Sequence, residues 1–413
     1  LSVDAAPAAP PALRRGLLVL LVLLAIVTSA IAVANIVLGI ALLVWIVTLR
    51  REGRFRAPFQ PAIVFWVGIF VACGMASAVF SLHPRSSLVA IKGSFTYLVL
   101  PLFVDALASE REVRRVVAAL GGAGVVLALI GFWQYFHGAN RLTDRIEGTL
   151  SHYMTFSGLL LVVALLFAGI ALEGRRRVAA SAVVLIVGGA ILMTFTRNAY
   201  VGFFGALLLY LAIRRPKWLP AVPVLAAAVY LAAPGAIRAR IVSTFDPADP
   251  TNRDRIDMAV AGARMIRDFP VFGLGLGLVK PYYPLYRVPD ALRWRVPHLH
   301  DNLLQIAAES GLIAAGAYVA ILACFFSACI RALARERDPE RRGLLAGAFL
   351  AVTGITIAGF FEYNFGDVEV LMTTLIVMAI PFTGPFRRSL AREIAPEAEA
   401  PPTPAREAGA GHE

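Results

Sequence analysis

The feature that most constrains this chain is a succession of apolar runs, most of them about one bilayer long, separated by short polar turns. A run of about 20 apolar residues is long enough to cross the hydrocarbon core as a helix. Within that core the backbone must satisfy its own hydrogen bonds, which helices do segment by segment. Of the 413 residues, 59% are hydrophobic and only 16% charged, with a mean hydropathy of +0.73. Soluble domains carry about a quarter charged residues. The runs therefore predict an all-α polytopic membrane protein.

The turns give the topology. Lys and Arg collect on the cytoplasmic side of membrane proteins. Basic turns at Arg14 and Arg15, Arg50 to Arg56, Arg111 to Arg115, Arg175 to Arg177, Arg214 to Lys217, Arg331 to Arg342, and Arg387 and Arg388 alternate with turns on the other side. This alternation predicts about 12 transmembrane helices with both ends cytoplasmic. The first apolar run, with no small-residue cleavage site, is expected to be a retained span. The expected organisation is a disordered cytoplasmic stretch at 1–12, spans one to nine within 13–233, an outer segment at 234–310, spans ten to twelve within 311–386, and a disordered cytoplasmic tail at 387–413. The net charge of +12 is accounted for by topology, so membrane lipids are expected as partners and nucleic acid is not. Cys73, Cys324 and Cys329 all fall in apolar runs, with neither disulfide nor zinc spacing.

Basic residues on the disfavoured side need a reason, because a charge at the centre of a membrane helix costs about 2.5–3.5 kcal/mol on insertion scales. Outside the long segment these are Arg85, Lys92, Arg141, Arg145 and Arg197. Within it, Ile256, Val260, Ala263 and Ile266 recur at helical spacing and predict an amphipathic helix capped by Asp254 or Asn252 and ended by Pro270. Phe272-Gly273-Leu274-Gly275-Leu276-Gly277 lacks the strand and βαβ context of a nucleotide loop and reads as a flexible surface bend. Tyr282, Tyr283, Tyr286 and Trp294 suit an interfacial belt.

The segment closes on Pro297-His298-Leu299-His300-Asp301-Asn302, just before the run that begins near Gly311. Pro297 suits the first position of a short helix. His300 would then lie in the first turn, where the helix dipole favours the neutral imidazole a general base needs. His298 and Asp301 are its candidate supports. Whether Asp301, Asn302 or another neighbour fixes the tautomer is open.

The stretch from His298 to Gln305, followed by Glu309-Ser310-Gly311-Leu312-Ile313, resembles the His-containing signature of the O-antigen ligase and polymerase superfamily. That signature has a histidine, then Asn, Ser or Gln, nine residues, a glycine, two residues, and Gly, Thr or Tyr. His300 and Gly311 keep the spacing; Asp301 and Ala314 depart from it. Thr194-Phe195-Thr196-Arg197-Asn198 resembles the family's Ser/Thr-Arg turn. Arg145-Ile146-Glu147-Gly148-Thr149, followed by His152, resembles its Arg-x-x-Gly loop. The stretch from Arg255 to Gly275 resembles its helix running into a glycine-rich bend.

The resemblance implies glycosyl transfer at the outer face of the bacterial inner membrane. The donor would be a glycan on undecaprenyl-pyrophosphate, and the acceptor a sugar hydroxyl of lipid A–core. Arg85, Lys92, Arg145, Arg197 and Arg255 would bind pyrophosphate, and His300 would take the acceptor's proton in a single inverting displacement. No cofactor and no metal are expected. An O-antigen polymerase of the same superfamily and a lipid-linked glycan flippase are the alternatives.

Overall fold

A computed structural model describes residues 11–246 and 248–391. The stretch expected at 1–12 and the tail expected at 387–413 lie largely outside the described residues. The chain is all-α: among the described residues the one β feature is an isolated bridge between Asn140 and Arg145. The first part comprises α1 (Pro11–Val27), α2 (Ile31–Arg51), α3 (Ala62–Val79), α4 (Pro84–Ala90), α5 (Val99–Ala106) and α6 (Glu110–Phe136). A tight 3-10 stretch, Ile91–Leu98, joins α4 to α5. Then come α7 (Tyr153–Glu173), α8 (Arg177–Met193), α9 (Arg197–Arg214) and α10 (Ala221–Ala232). The long polar segment holds α11 (Gly235–Val242), α12 (Pro250–Asp268) and α13 (Val279–Tyr286). The chain closes with α14 (Asn302–Arg335), α15 (Pro339–Ala358), α16 (Val368–Ala379) and α17 (Gly384–Ala391).

Among the described residues eight helical segments are long and apolar enough to cross a membrane. They correspond to α2, α3, the irregular helix Pro84–Ala106, α6, α7, α14, α15 and Val368–Arg387. The remaining expected spans coincide with α1, α8, α9 and α10, which fall short of that length or apolarity.

The centre of the bundle is α7 packed on α15. Both are buried along nearly their whole length. Gly169 lies against the backbone of Gly347, so a methyl group on either would collide with the facing chain. Small residues at such crossings let helix backbones approach closely, which is where membrane helices gain packing energy. α7 also sets the polarity of the molecule. At one end His152 caps it, its Nδ1 accepting from Met154 N–H at 3.3 Å. At the other, about 30 Å away at 1.5 Å per residue, Glu173 accepts from Arg215 and Arg342, both at 2.9 Å. Other basic turns are paired with acids in the same manner: Arg14 and Arg54 with Glu52, Arg54 with Asp105, and Arg341 with Glu110.

The polar segment departs from the sequence expectations in three places. α12 begins earlier, at Pro250, and its cap is Asp249, which accepts from Thr251 N–H at 2.9 Å. Its buried face is Met258, Ala261 and Met265, packed with Leu299, whereas Ile256 is 61% exposed. Tertiary packing selected the methionine stripe over the isoleucine–valine stripe. Tyr283 is fully buried and belongs to the same small core, so it is no part of a surface belt. The glycine-rich bend is pinned rather than flexible. Leu274 N–H donates to Ala308 O at 2.9 Å, Gly275 N–H to Glu309 O at 3.0 Å, and Leu312 N–H to Pro270 O at 2.8 Å. These bonds use backbone groups freed where α14 breaks at Gly311 (φ 82°, ψ 174°). Gly273 (φ 69°) and Gly311 both face bare backbone, where a Cβ would clash. The glycines are there for close approach of two backbones.

Candidate active site

Pro297 to His300 are not helical. α14 starts at Asn302, and Asp301 is its N-cap, Oδ1 accepting from Leu304 N–H at 2.8 Å. His300 therefore precedes the helix rather than lying in its first turn. Its φ is 54°, a left-handed conformation that is uncommon outside glycine and clusters at functional sites. Asn302 joins this corner to the turn between α15 and α16: its N–H donates to Gly359 O at 2.8 Å, and its Oδ1 accepts from Phe365 N–H at 3.1 Å.

That turn brings Glu362 to the histidines. His300 Nδ1 lies 2.8 Å from Glu362 Oε2. Burial raises the Glu362 pKa, but the hydrogen bond from His300 and the two nearby imidazoles outweigh it and leave the pKa below the usual value. Glu362 is therefore a carboxylate and accepts only, which places the His300 proton on Nδ1 and leaves Nε2 as the free lone pair. His298 Nε2 lies 3.4 Å from Glu362 Oε1, and His298 Nδ1 accepts from His300 N–H at 3.3 Å. Burial pushes His298 down to about 4, so it is a neutral donor to the same carboxylate. One buried carboxylate thus orients two imidazoles. His298, His300 and Glu362 each offer a ligand atom within 4.8 Å of the others, so the trio would also admit a metal ion.

His300 and Glu362 open on a cavity of about 450 Å³ whose wall includes Arg145, Arg240, Arg255 and Arg293. Arg145 lies with its guanidinium 4.2 Å from the centre of the Tyr153 ring. Its Nη1 reaches the carbonyl of Phe195 at 3.5 Å, and Arg240 Nε reaches the same oxygen at 3.4 Å. Phe195 is the second non-glycine residue with positive φ, 54°. Burial lowers the pKa of Arg145, Arg240 and Arg255, and neighbouring guanidinium groups lower each further, Arg240 to about 10. Among the described residues neither Arg145 nor Arg255 forms an ion pair, and Arg255 Nε is buried without a hydrogen-bond partner. Such crowding of like charge favours a polyanion there, with guanidinium forks matched to phosphate oxygens.

The sequence-derived residues separate accordingly. His298, His300, Arg145 and Arg255 line this cavity. Arg197 stands behind it, 4% exposed: Nη1 donates to Ser243 O at 2.6 Å, and Nη2 to Asp249 at 3.1 Å and Asn252 at 3.0 Å. It ties the start of α9 to the α11–α12 junction. Arg85 is exposed on α4, and Lys92 lines an apolar groove along α2. Neither is on the cavity wall. Asp301 serves as a helix cap.

The structure adds Glu362, Arg240, Arg293 and His152, which residue-by-residue reading left without a role. A carboxylate in the short polar turn of an apolar hairpin was the available signal for Glu362.

The class defined by fold and site is a polytopic helical membrane protein with a carboxylate-oriented histidine facing an arginine-lined cavity. Residues 181–319 match the family model described as O-Antigen ligase, which supports the resemblance to the O-antigen ligase/polymerase superfamily over that part of the chain. The matched region runs from α8 into α14 and contains Arg197, Arg255 and His300. No curated protein matches the chain.

Proposed function

We propose that this protein is an O-antigen ligase of the bacterial inner membrane. In this reading it transfers a glycan from undecaprenyl-pyrophosphate to a sugar hydroxyl of lipid A–core at the periplasmic face. The observation that carries the reading is the His300–Glu362 pair opening on a cavity walled by four arginines. The paired basic turns at the far end of α7 support the orientation, since basic turns favour the cytoplasm.

The chemistry follows from the atoms. The acceptor hydroxyl oxygen attacks the anomeric carbon while the bond from that carbon to the pyrophosphate oxygen breaks, with inversion. His300 Nε2 takes the hydroxyl proton, and Glu362 stabilises the imidazolium that forms. The electron pair leaves with pyrophosphate, whose growing charge meets Arg145, Arg240 and Arg255. Arg197 acts through these residues as a positioning residue. Pyrophosphate is a good leaving group, so the mechanism assigns no step to a metal.

The test is transfer by the purified protein in nanodiscs, with undecaprenyl-pyrophosphate-linked glycan and lipid A–core. Glycan appearing on lipid A–core supports the ligase. Glycan appearing only on carrier-linked glycan converts the reading to polymerase, and release of neither sinks both.

A further inference from the structure

A second cavity, of about 390 Å³, shares Pro297, His298 and Asp367 with the arginine-lined one. Its chemistry differs. Among the described residues no arginine lines it; its charged side chains are Lys280, Glu309 and Asp367. Two carboxyl groups against one ammonium make it a poor site for pyrophosphate. Tyr97, Tyr363 and Gln305 supply the ring faces and amide groups that suit sugar rings and hydroxyls. It also shares Ala90, Gly93 and Val368 with the apolar groove along α2, so a lipid-linked molecule has a lateral way in.

Among the described residues Asp367 is the only acidic one on both walls. Its Oδ2 accepts from Thr155 Oγ1 at 3.0 Å, which fixes the carboxyl and leaves Oδ1 for another donor. Burial pushes Asp367 up to about 7, opposed by the Thr155 bond and aided by Glu362 and Glu369.

We propose that the second cavity binds the saccharide end of the acceptor, and that Asp367 positions the attacking hydroxyl where the two cavities meet. The proposal rests on the glycosyl-transfer reading and adds a division of labour to it. The arginine cavity selects the anionic donor, and the Lys280–Glu309–Asp367 cavity selects a hydroxyl-rich partner. Charge sorts the two substrates before chemistry, as complementary electrostatics does elsewhere.

The experiment uses the full chain in nanodiscs, with each substrate varied at saturation of the other, and lipid A–core binding measured separately. Asp367→Asn keeps the shape of the side chain. Gly93→Leu adds bulk where a Cβ would meet nothing within 4 Å, so it narrows the cavity without straining the fold. Both variants should raise the KM for lipid A–core about tenfold, the scale of one lost hydrogen bond to a ligand. The KM for the lipid-pyrophosphate donor should stay unchanged in Gly93→Leu, which lines only the second cavity and the groove, and should not rise in Asp367→Asn. A rise in donor KM instead would give the cavity to the donor, and unchanged values of both would remove it from the site; either overturns the proposal. Wild-type protein that binds lipid A–core in an Asp367- and Gly93-dependent way but transfers nothing keeps the site and defeats the function. Wild-type protein that neither binds nor transfers overturns both.

Discussion

His300 and Glu362 stand 62 residues apart in sequence and 2.8 Å apart in space. That one contact fixes the ring of a histidine beside a helix cap, with Nδ1 toward the carboxylate, as the proposed base requires. The left-handed backbone at His300 and the two Asn302 bonds to the 359–367 turn hold it in place.

Replacing the carboxylate should therefore cost rate rather than binding. Glu362→Gln can offer its amide N–H to Nδ1, which favours the wrong His300 tautomer. We expect kcat to fall by about 10²–10⁴-fold, the range for general-base contributions, with both KM values held within a few-fold. Steady-state transfer kinetics with each substrate varied will check this. A kcat within threefold of wild type would detach Glu362 from the base.

The arginines should divide by position. Arg145→Ala and Arg255→Ala each remove a charge-assisted bond of about 1.5–3 kcal/mol, so donor affinity should drop by one to two powers of ten. Arg85→Ala, on exposed α4, should leave donor affinity unchanged. Displacement of a fluorescent undecaprenyl-pyrophosphate analogue measures all three. Equal losses in all three would return Arg85 to the site.

Arg197 should behave as a structural member. Its removal leaves the Asp249 carboxylate without its nearest cation, and breaking a buried pair costs about 3–5 kcal/mol. Arg197→Lys should rescue little, because one ammonium cannot serve Ser243, Asp249 and Asn252 together. Thermal unfolding in nanodiscs reads the effect. A stable Arg197→Ala protein with weakened donor binding would make Arg197 a direct ligand.

The extent to which this site was legible follows from what sequence spacing carries. The long apolar helices were legible because bilayer thickness acts locally on composition, and eight of them among the described residues are long and apolar enough to cross a membrane. His300 was legible because a histidine closing a polar segment at a span boundary is already unusual. Its setting is not helical, because α14 begins only at Asn302 with Asp301 as its cap. Glu362 was visible as a turn residue, but nothing in its own neighbourhood says which distant turn it meets. Arg197 and Arg255 both enter through the family resemblance, and only packing shows one held by Ser243, Asp249 and Asn252 while the other faces the cavity. On α12 the spacing of Ile256 and Val260 marks an apolar face, yet Met258 and Met265 are the residues that become buried, packed with Leu299.

His298 gives a pH signature. Its folded pKa, about 4, lies below the ordinary histidine value because burial opposes charge; Glu362 favours the charged form, while His300 and His152 oppose it. The unfolded chain therefore binds the proton first. The stability this contributes is present above pH 6.5 and is lost as pH falls through the window toward 4. His298→Gln should flatten the fall in melting temperature between those values. An identical acid profile in the variant would contradict the burial argument.

The most direct test of the central claim is the rate of glycan transfer by His300→Ala, measured with saturating donor and acceptor beside donor binding in the same nanodiscs, with and without a chelator. The account predicts loss of at least about 10²-fold in kcat, unchanged donor binding, and a wild-type rate that chelation does not alter. Full transfer by His300→Ala would contradict it, and a chelator-sensitive wild-type rate would assign His298, His300 and Glu362 to a metal instead.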